Sequence, residues 1–600
     1  MAKNKLEIPS RDEINNEDKW DLSKLYESPE AWEEGLKEYE AKYPKIADFK
    51  GTLGNSAAAL RDCLVFMNDL EQLDERIGYY AHLRTNEDEG NSSHKERFAR
   101  YMSAAAQAGA LGSYQTPEIQ AIPDETMKSF LESDELAEFR IILEKMLRFK
   151  PHILSEKEER LLALQAESSQ AVSQGFSALT NVDMNFGTIK MEQGEVPLTQ
   201  STFSVFLINS DREIRKKAYH QFYDNFEGHK NTLAALYNGS VQQDIYRSRI
   251  RGYSSARAKA LFPDKVSEEV YDNLVSTIGK NLPKLHKYYE VRRKVLGIDK
   301  LSHYDVYVPM IKDIQVKHTY DEAVDVIVRA TAPLGEEYTR KLKEGLIGTW
   351  VDKYENKGKR SGAFSAGSFV GEPYILMNFK EDVLRDVFTL AHEGGHSMHS
   401  WYSASSNPFQ HYNYTIFEAE VASTFNEQLL AKYLLERAET KEMKAYLIGK
   451  QVDDIIATIF RQTMFAEFEH ISHKMVEEGQ PLTVDSLRKT YRELLEKYFG
   501  PEVDLPEQAD LEGLRIPHFY RAFYVYKYAT GLSAAVTLAE RVLNGGDTER
   551  EEYLSFLKSG GSRYPLESLK LAGVDMGSPE PVQKALDKFE KLTKELAGLL

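Results

Sequence analysis

The sequence has little cysteine, no long apolar run and no excess of positive charge. Cys63 is the single cysteine among 600 residues, which excludes an internal disulfide and any cysteine-based zinc site. No stretch reaches the roughly eighteen apolar residues that a membrane-spanning helix needs, and the first residues lack the apolar core of a signal peptide. We therefore expect a protein of the reducing cytoplasm with no membrane partner.

Lys and Arg number 76 against 94 Asp and Glu, so the net charge is −18. Nucleic acid binding requires a basic face, which excludes nucleic acid as an expected partner. The chain also lacks low-complexity tracts, and its 20 Pro and 36 Gly are too few for long flexible linkers. Its composition is that of a globular protein and predicts no particular oligomeric state.

Helical spacing of apolar residues dominates the chain and predicts a mostly α protein. Six hundred residues exceed what one compact core usually holds, so we expect two or more lobes. We place the boundary so that residues 1–195 form an N-terminal helical lobe and residues 196–600 form a catalytic region. Helical spacing is clearest in Glu30–Tyr39, Ala57–Leu73, Glu96–Leu111 and Leu136–Leu147.

Two segments interrupt the helical pattern and predict β-hairpins. The first runs from Asp183 to Leu198, and the second runs from Ser361 to Phe379. The second hairpin directly precedes the strongest motif of the chain. An edge strand there can hold an extended peptide by main-chain hydrogen bonds. The alternative is a small sheet that only supports the helix that follows it.

The strongest motif is His392-Glu393-Gly394-Gly395-His396, which follows an apolar run typical of a buried helix. Residues four apart lie on one helix face, so the two imidazoles can bind one zinc ion. Glu393 would then be the general base for the zinc-bound water. Each glycine costs about 1 kcal/mol in a helix interior, which suggests close approach by a neighbouring segment or by substrate. The motif predicts metal-assisted hydrolysis, most often of a peptide bond.

A catalytic zinc usually has a third protein ligand. Glu420 follows His396 by 24 positions and fits a ligand on the next helix, while Glu427 lies two turns further on about the same face, placed to contact a ligand histidine. His399 is the alternative third ligand, but three ligands on consecutive turns of one helix close a tetrahedron poorly. We therefore favour a role for His399 next to the ligands or on the substrate side. Glu418 is expected on another face, exposed to solvent.

The oxyanion formed during hydrolysis needs donors besides the metal. One histidine and four tyrosines lie within eleven residues, and we expect His518, Tyr520 and Tyr524 to act there. If this segment is helical, Tyr520, Tyr524 and Tyr528 share one face while Tyr526 points away. The alternative is an aromatic core stripe, which would favour Phe and Leu over four hydroxyls.

These motifs together make the chain resemble oligoendopeptidase F, in the branch of zinc metallopeptidases that includes thimet oligopeptidase. The matching stretches are Lys19–Ser23, Phe388–Met398, Glu418–Glu427 and His518–Gly531. The resemblance implies a mostly helical, two-lobed shell around a deep substrate channel, with a small β-hairpin beside the zinc-binding helix. It also implies one catalytic zinc ion held by His392, His396 and Glu420.

The activity implied by the resemblance is zinc-dependent endopeptidase action on internal bonds of short unstructured oligopeptides, as in peptide catabolism. Glu393 would be the base, and His518 with nearby tyrosines would contact the oxyanion. The segment after His518 differs in length and composition from the Gly-rich loop of thimet oligopeptidase. A carboxypeptidase or dipeptidyl carboxypeptidase is the alternative within this chemistry, and it needs a fixed cation such as Arg521 or Lys527 for the substrate carboxylate. An inactive helical peptide-binding protein is the alternative from another class.

Overall fold

The computed structural model of the protein describes residues 8–192, 194–311, 314 and 316–600, and α-helices dominate it. The mostly α prediction is therefore confirmed. In chain order the helices are α1 Pro29–Lys42, α2 Ala57–Glu87, α3 Ser92–Gly112, α4 Gln115–Ala121, α5 Asp124–Glu132, α6 Arg140–Leu147, α7 Glu156–Gln165, α8 Ala171–Ala178, α9 Gln200–Leu207, α10 Arg212–Ile250, α11 Ala256–Leu261, α12 Glu268–Val295, α13 Tyr320–Ala330, α14 Glu336–Ile347, α15 Leu384–Ser406, α16 Phe409–Tyr412, α17 Ile416–Arg437, α18 Lys441–Ile455, α19 Arg461–Glu477, α20 Val484–Phe499, α21 Tyr526–Asn544, α22 Asp547–Ser559, α23 Pro565–Leu571 and α24 Glu580–Leu599.

The strands of the described residues are short and form three small sheets. They are β1 Thr188–Met191, β2 Gly194–Pro197, β3 Leu301–Ser302, β4 Val351–Asp352, β5 Phe364–Ala366, β6 Tyr374–Leu376 and β7 Val503–Asp504. Strands β1 and β2 are antiparallel, and β3 pairs with β7 in parallel. The third sheet has the order β4-β6-β5, with β4 parallel and β5 antiparallel to the central β6. Both predicted hairpins are confirmed.

The chain divides into two compact units, each assembled from three separated segments. The first unit contains Met1–Pro151, Gln315–Leu434 and Leu538–Gly573, and the second contains His152–Ile314, Leu435–Thr537 and Val574–Leu600. The boundary predicted between residues 195 and 196 falls inside β2, within the second unit. The functional assignment of the two predicted regions stays a prediction. No helix in the described part of the chain has both the length and the apolar character needed to cross a membrane.

In the first unit, the three-stranded sheet lies against the helix that carries the strongest motif. Tyr374 and Leu376 of β6 are fully buried and belong to the same core as Trp20 and Trp32. Two hydroxyl contacts fix the sheet to the helix. The Ser397 hydroxyl of α15 donates to the carbonyl of Pro373, 3.1 Å away, and lies 2.8 Å from the Ser365 hydroxyl of β5. These two contacts therefore fix the position of the β5–β6 hairpin relative to α15.

A layer of stacked aromatic rings builds the second unit around α10. Phe203 of α9 stacks on Phe222 of α10 with ring centroids 3.8 Å apart, and Phe186 stacks on the same ring at 4.7 Å. All three rings are buried. Burial of about 25 cal/mol per Å² of apolar surface makes such a layer a strong contributor to folding. The layer packs α9 against α10.

Candidate active site

Three side chains of the first unit come together as a candidate metal-ligand set. His392, His396 and Glu420 each offer one ligand atom, and these atoms lie within 4.8 Å of one another. The Oε2 atom of Glu420 is 3.6 Å from Nε2 of His392 and 4.0 Å from Nε2 of His396. Two imidazole nitrogens and one carboxylate oxygen match the donor set of a catalytic zinc site that keeps a position open for water.

The first histidine of this set is held by a carboxylate from α17. Oε1 of Glu427 lies 2.7 Å from Nδ1 of His392, so the Nε2 atom of that ring faces Glu420. Burial lowers the pKa of His392, but the hydrogen bond and charge of Glu427 outweigh burial and raise it. A carboxylate on the outer nitrogen orients a ligand imidazole and makes it a better donor to metal. The contact anticipated from the spacing of Glu427 is present.

Gly395 explains how Glu420 comes close to the two histidines. A Cβ atom on Gly395 would lie 2.6 Å from the carbonyl oxygen of Ala422 and 2.7 Å from the Cα of Ser423. Only glycine lets the backbone of α17 approach α15 this closely, and Glu420 is one turn before these residues. The expectation of a close neighbouring segment is therefore confirmed for Gly395. Gly394 is less crowded, because its nearest atom is a terminal carbon of Leu342 at 3.1 Å.

Glu393 is buried beside the ligand set, with only 7% of its surface exposed. Burial raises its pKa to about 7, although the neighbouring His392 lowers it. The backbone amide of Ser365 in β5 also lowers this pKa. A carboxyl group with a pKa near neutrality can accept and release a proton at physiological pH. Ser365 was not singled out by the sequence, because a backbone donor leaves no side-chain signature.

His399 does not belong to the ligand group. Its ring is 1% exposed and stacks on Tyr414 with centroids 3.6 Å apart and planes 7° from parallel. Burial lowers the pKa of His399 to about 3, so this ring is neutral near pH 7. The Tyr414 hydroxyl lies 2.9 Å from that of Ser400. His399 therefore packs against the start of α17.

The expectation that Glu418 is exposed to solvent is wrong, because its side chain is 1% exposed. It is the third residue of α17, and its Oε2 atom accepts hydrogen bonds from the Thr415 amide at 3.3 Å and hydroxyl at 3.2 Å. A glutamate at this position commonly turns back to the residue before the helix, as in a capping box. Burial raises the pKa of Glu418 to about 7.

The segment that carries His518 lies in the second unit and is not a continuous helix. Residues Pro517–Tyr520 form a short 3-10 turn, and α21 begins only at Tyr526. Between them Phe523 has a positive φ of 62°, which a bulky residue rarely adopts. The prediction of one helical face carrying Tyr520, Tyr524 and Tyr528 is therefore wrong. This turn could not be predicted from apolar spacing, since Phe and Tyr occupy six of the twelve positions 517–528 without a helical period.

The turn nevertheless brings His518 and Tyr524 together. The Tyr524 hydroxyl makes a short hydrogen bond with Nδ1 of His518, while burial lowers the pKa of the imidazole. Tyr520 stacks on Phe176, with centroids 4.3 Å apart, and its hydroxyl has no hydrogen-bond partner in the structure. Tyr526 is fully buried. The four tyrosines thus occupy different surroundings.

Phe523 is stabilised by a buried carboxyl that the sequence did not reveal. Its N–H donates to Oε1 of Glu469 on α19 at 3.3 Å, and both residues are buried. Burial raises the pKa of Glu469 well above 4.5. From sequence alone, a glutamate inside a helical pattern is predicted to lie at the surface. Only the folded structure identifies its contact with the Phe523 N–H.

Comparisons with known proteins point to one family. The model of peptidase family M3 matches residues 205–588, and the model of oligopeptidase F matches residues 118–186. The chain is 43% identical to Oligopeptidase PepF of Bacillus subtilis (strain 168) over 99% of this chain and 89% of that protein. It is 42% identical to an oligoendopeptidase F homolog of Borreliella burgdorferi over 98% of this chain and 99% of that one. A crystal structure of oligoendopeptidase-F from Enterococcus faecium superposes with a TM-score of 0.73 and 33% identity, covering 94% of this chain and 98% of that chain.

Proposed function

The chain belongs to peptidase family M3 and is a peptidase that acts on peptides, and we propose that it is a zinc-dependent endopeptidase of short unstructured oligopeptides. The observation that carries the zinc proposal is the convergence of His392, His396 and Glu420 within 4.8 Å. Relatives at 43% and 42% identity are named an oligopeptidase and an oligoendopeptidase F homolog, which supports action on internal bonds of oligopeptides.

We propose that these three residues hold one zinc ion. The donor set fits zinc, because neutral imidazoles and a carboxylate are its preferred nitrogen and oxygen ligands. Glu427 supports the site by accepting the Nδ1 proton of His392, which leaves Nε2 free to bind metal. A bound zinc ion would polarise the scissile carbonyl and increase the acidity of a water molecule.

Glu393 serves as the general base in this proposal. It removes a proton from the attacking water and passes that proton to the leaving amine. A pKa of about 7 suits both transfers, since neither protonation state is strongly disfavoured near neutral pH. The backbone amide of Ser365 in β5 favours the ionised form of Glu393, the form that accepts a proton.

His518, Tyr520 and Tyr524 are the proposed donors to the oxyanion. Tyr524 engages Nδ1 of His518, so the Nε2 atom remains to contact substrate. The Tyr520 hydroxyl is buried without a hydrogen-bond partner. A buried hydroxyl in that state favours a ligand atom that accepts a hydrogen bond from it. These features support the assignment of the histidine and of these two tyrosines.

We propose that strand β5 binds the main chain of the peptide. It is an edge strand of the sheet β4-β6-β5, and its residues are half-buried. Main-chain hydrogen bonds to an edge strand recognise an extended peptide without selecting its side chains. This mode suits a peptidase of unstructured oligopeptides.

Dependence on a free C-terminus distinguishes the alternative carboxypeptidase activities. Lys527 is neutralised by Asp264, with Nζ 2.6 Å from Oδ2, whereas the exposed Arg521 lies over the Tyr524 ring. We expect a peptide with an amidated C-terminus to be cleaved at the same internal bonds as its free acid. Failure to cleave the amide would favour a carboxypeptidase.

Product mapping by mass spectrometry on a mixture of short peptides of different lengths would test the proposal directly. We expect internal cleavage that stops after a chelator is added and returns with zinc. Intact peptides in every sample would instead favour an inactive binding protein. The cytoplasmic location expected from the single cysteine stays a prediction.

A further inference from the structure

A tyrosine-lined cavity of about 610 Å³ lies in the second unit, and His518 forms part of its wall. Exposed Ile208 and Tyr307 line it together with fully buried Tyr219 and Tyr223, so its lining extends from the surface to the interior. Cavities of this size and aromatic character are typical of ligand sites. Among the residues of this wall, only His518 has a role in the function proposed above.

Two arginines of the wall share one carboxylate. Nη2 of Arg461 lies 2.7 Å from Oε1 of Glu512, and Nη2 of Arg515 lies 3.4 Å from the same atom. The other oxygen of Glu512 accepts a hydrogen bond from Tyr491 at 2.9 Å. Burial opposes ionisation of Glu512, but the two arginines outweigh it and lower its pKa to about 2. One carboxylate thus faces two guanidinium groups.

Basic side chains outnumber acidic ones in the wall of this cavity. Arg292, Arg461 and Arg515 face only two carboxyl groups, those of Asp453 and Glu512, and burial raises the pKa of Asp453, which disfavours its charged form. His303 adds no charge near neutral pH because burial lowers its pKa to about 4.

Two buried polar atoms without hydrogen-bond partners at the cavity also indicate a ligand site. The Nε2 atom of His303 is buried without a hydrogen-bond partner, and its residue is 1% exposed, while Nδ1 contacts the Tyr219 hydroxyl at 2.8 Å. The Nε atom of Arg515 is likewise buried without a partner. Leaving such groups unpaired costs roughly 1–3 kcal/mol each, which a bound acceptor would recover.

We infer that this cavity binds a carboxylate of the peptide substrate, with Arg461 and Arg515 as the residues that hold it. The carboxylate can belong to an Asp or Glu side chain or to the peptide C-terminus. The inference rests on the proposed peptidase function, since His518 is common to the cavity wall and to the proposed oxyanion donors.

The test compares quenched fluorescent peptides in two matched pairs, using the full-length zinc-loaded enzyme. One pair differs only by Asp or Asn at one position, moved along the peptide, and the other by a free or amidated C-terminus. We expect kcat/KM to be about tenfold higher for the carboxylate member of one pair, as a charge-assisted hydrogen bond would give. The pair that shows the preference identifies the source of the carboxylate.

Arg461→Gln should reduce this preference to less than about threefold. Arg488→Gln is the matched control, because each change removes one arginine from a carboxylate that keeps another. Glu227, the second carboxylate that Arg488 contacts, keeps Lys230. In the control, Asp510 keeps Arg492, and Arg488 does not line the cavity. If Arg461→Gln does not fold, Arg515→Gln provides the same comparison, since Glu512 then keeps its other arginine.

Three results would overturn the inference. They are a wild-type kcat/KM ratio near one in both peptide pairs, an equal loss of the carboxylate preference in Arg461→Gln and Arg488→Gln, and a loss of that preference in Arg521→Gln that Arg461→Gln does not show.

A binding measurement by calorimetry separates this inference from the peptidase proposal. N-acetyltyrosine should bind and its amide should not, with binding lost in Arg461→Gln even if no peptide is cleaved. Equal affinity for the acid and the amide would count against the inference.

Discussion

Glu427 accepts the outer nitrogen proton of His392 at 2.7 Å, and this contact links the two helices that supply the proposed metal ligands. We expect Glu427→Ala to weaken zinc binding about 10- to 100-fold, because the imidazole loses the partner that fixes its orientation. Glu427→Gln retains an oxygen acceptor and should give a smaller loss. Competition with a chromogenic chelator would measure both. An unchanged affinity in the alanine variant would contradict this role.

Glu393→Gln should reduce kcat by at least about 100-fold while zinc content stays near one per chain, because an amide cannot accept the proton of water. Elemental analysis and single-turnover hydrolysis of a fluorescent peptide provide the two measurements. The change is nearly isosteric and removes no proposed ligand. Substantial turnover by the zinc-loaded variant would refute Glu393 as the base.

Glu420→Ala should lower zinc content sharply, whereas His399→Phe should leave most of the metal bound. The phenylalanine variant is the matched control, since it removes both ring nitrogens but keeps a ring to stack on Tyr414. Elemental analysis after dialysis against a weak chelator would compare them. If the histidine variant alone lost zinc, His399 would have to be a ligand.

Gly395→Ala should destabilise the protein by about 1–3 kcal/mol and weaken zinc binding, because the added methyl group meets the backbone of α17. Gly394→Ala is the control, as its methyl group meets only the flexible end of Leu342 at 3.1 Å. Thermal unfolding with and without zinc would separate the two variants. Similar melting temperatures for both would mean that α17 can shift without cost.

Glu469→Gln should make stability less dependent on pH. The unfolded chain releases the Glu469 proton above pH 4.5, but the folded chain holds it to a much higher pH because the pKa is raised. The stabilisation by Glu469 is therefore complete below pH 4.5 and is lost as pH rises towards the folded pKa. The advantage of the variant should grow by up to about 1.4 kcal/mol per pH unit over this range. Urea unfolding from pH 5 to pH 8 would measure it; parallel curves would contradict a raised pKa.

The convergence of His392, His396 and Glu420 could be predicted from sequence because helix geometry determines it. Positions 392 and 396 must share a face of one helix, and Glu420 and Glu427 share a face of the next, so their convergence required only that two helices meet. The double glycine indicated the meeting point. The predicted exposure of Glu418 was wrong for a local reason. At the start of a helix a carboxylate can turn inwards and accept hydrogen bonds from the residue that precedes the helix, and the spacing of apolar residues does not indicate this.

The His518 segment could not be predicted for a different reason. Its backbone path depends on the positive φ of Phe523, which Glu469 stabilises from a helix about fifty residues earlier in the chain. Local propensity cannot reveal a conformation imposed by such a distant contact. The shared carboxylate of Arg461 and Arg515 is equally invisible, since charged residues in helical patterns are expected at the surface.

The discontinuous first unit has a consequence for biosynthesis. Its ligand helices α15 and α17 end by Arg437, yet α22, which packs along α15, is translated more than a hundred residues later. Phe425 of α17 stacks on Tyr553 of the same late helix at 3.9 Å. The ribosome must therefore release the chain as far as α22 before α15 and α17 gain their full packing. Until that moment a nascent chain would hold its three proposed ligands without the supporting core, so metal loading and peptidase activity should begin only after α22 has emerged.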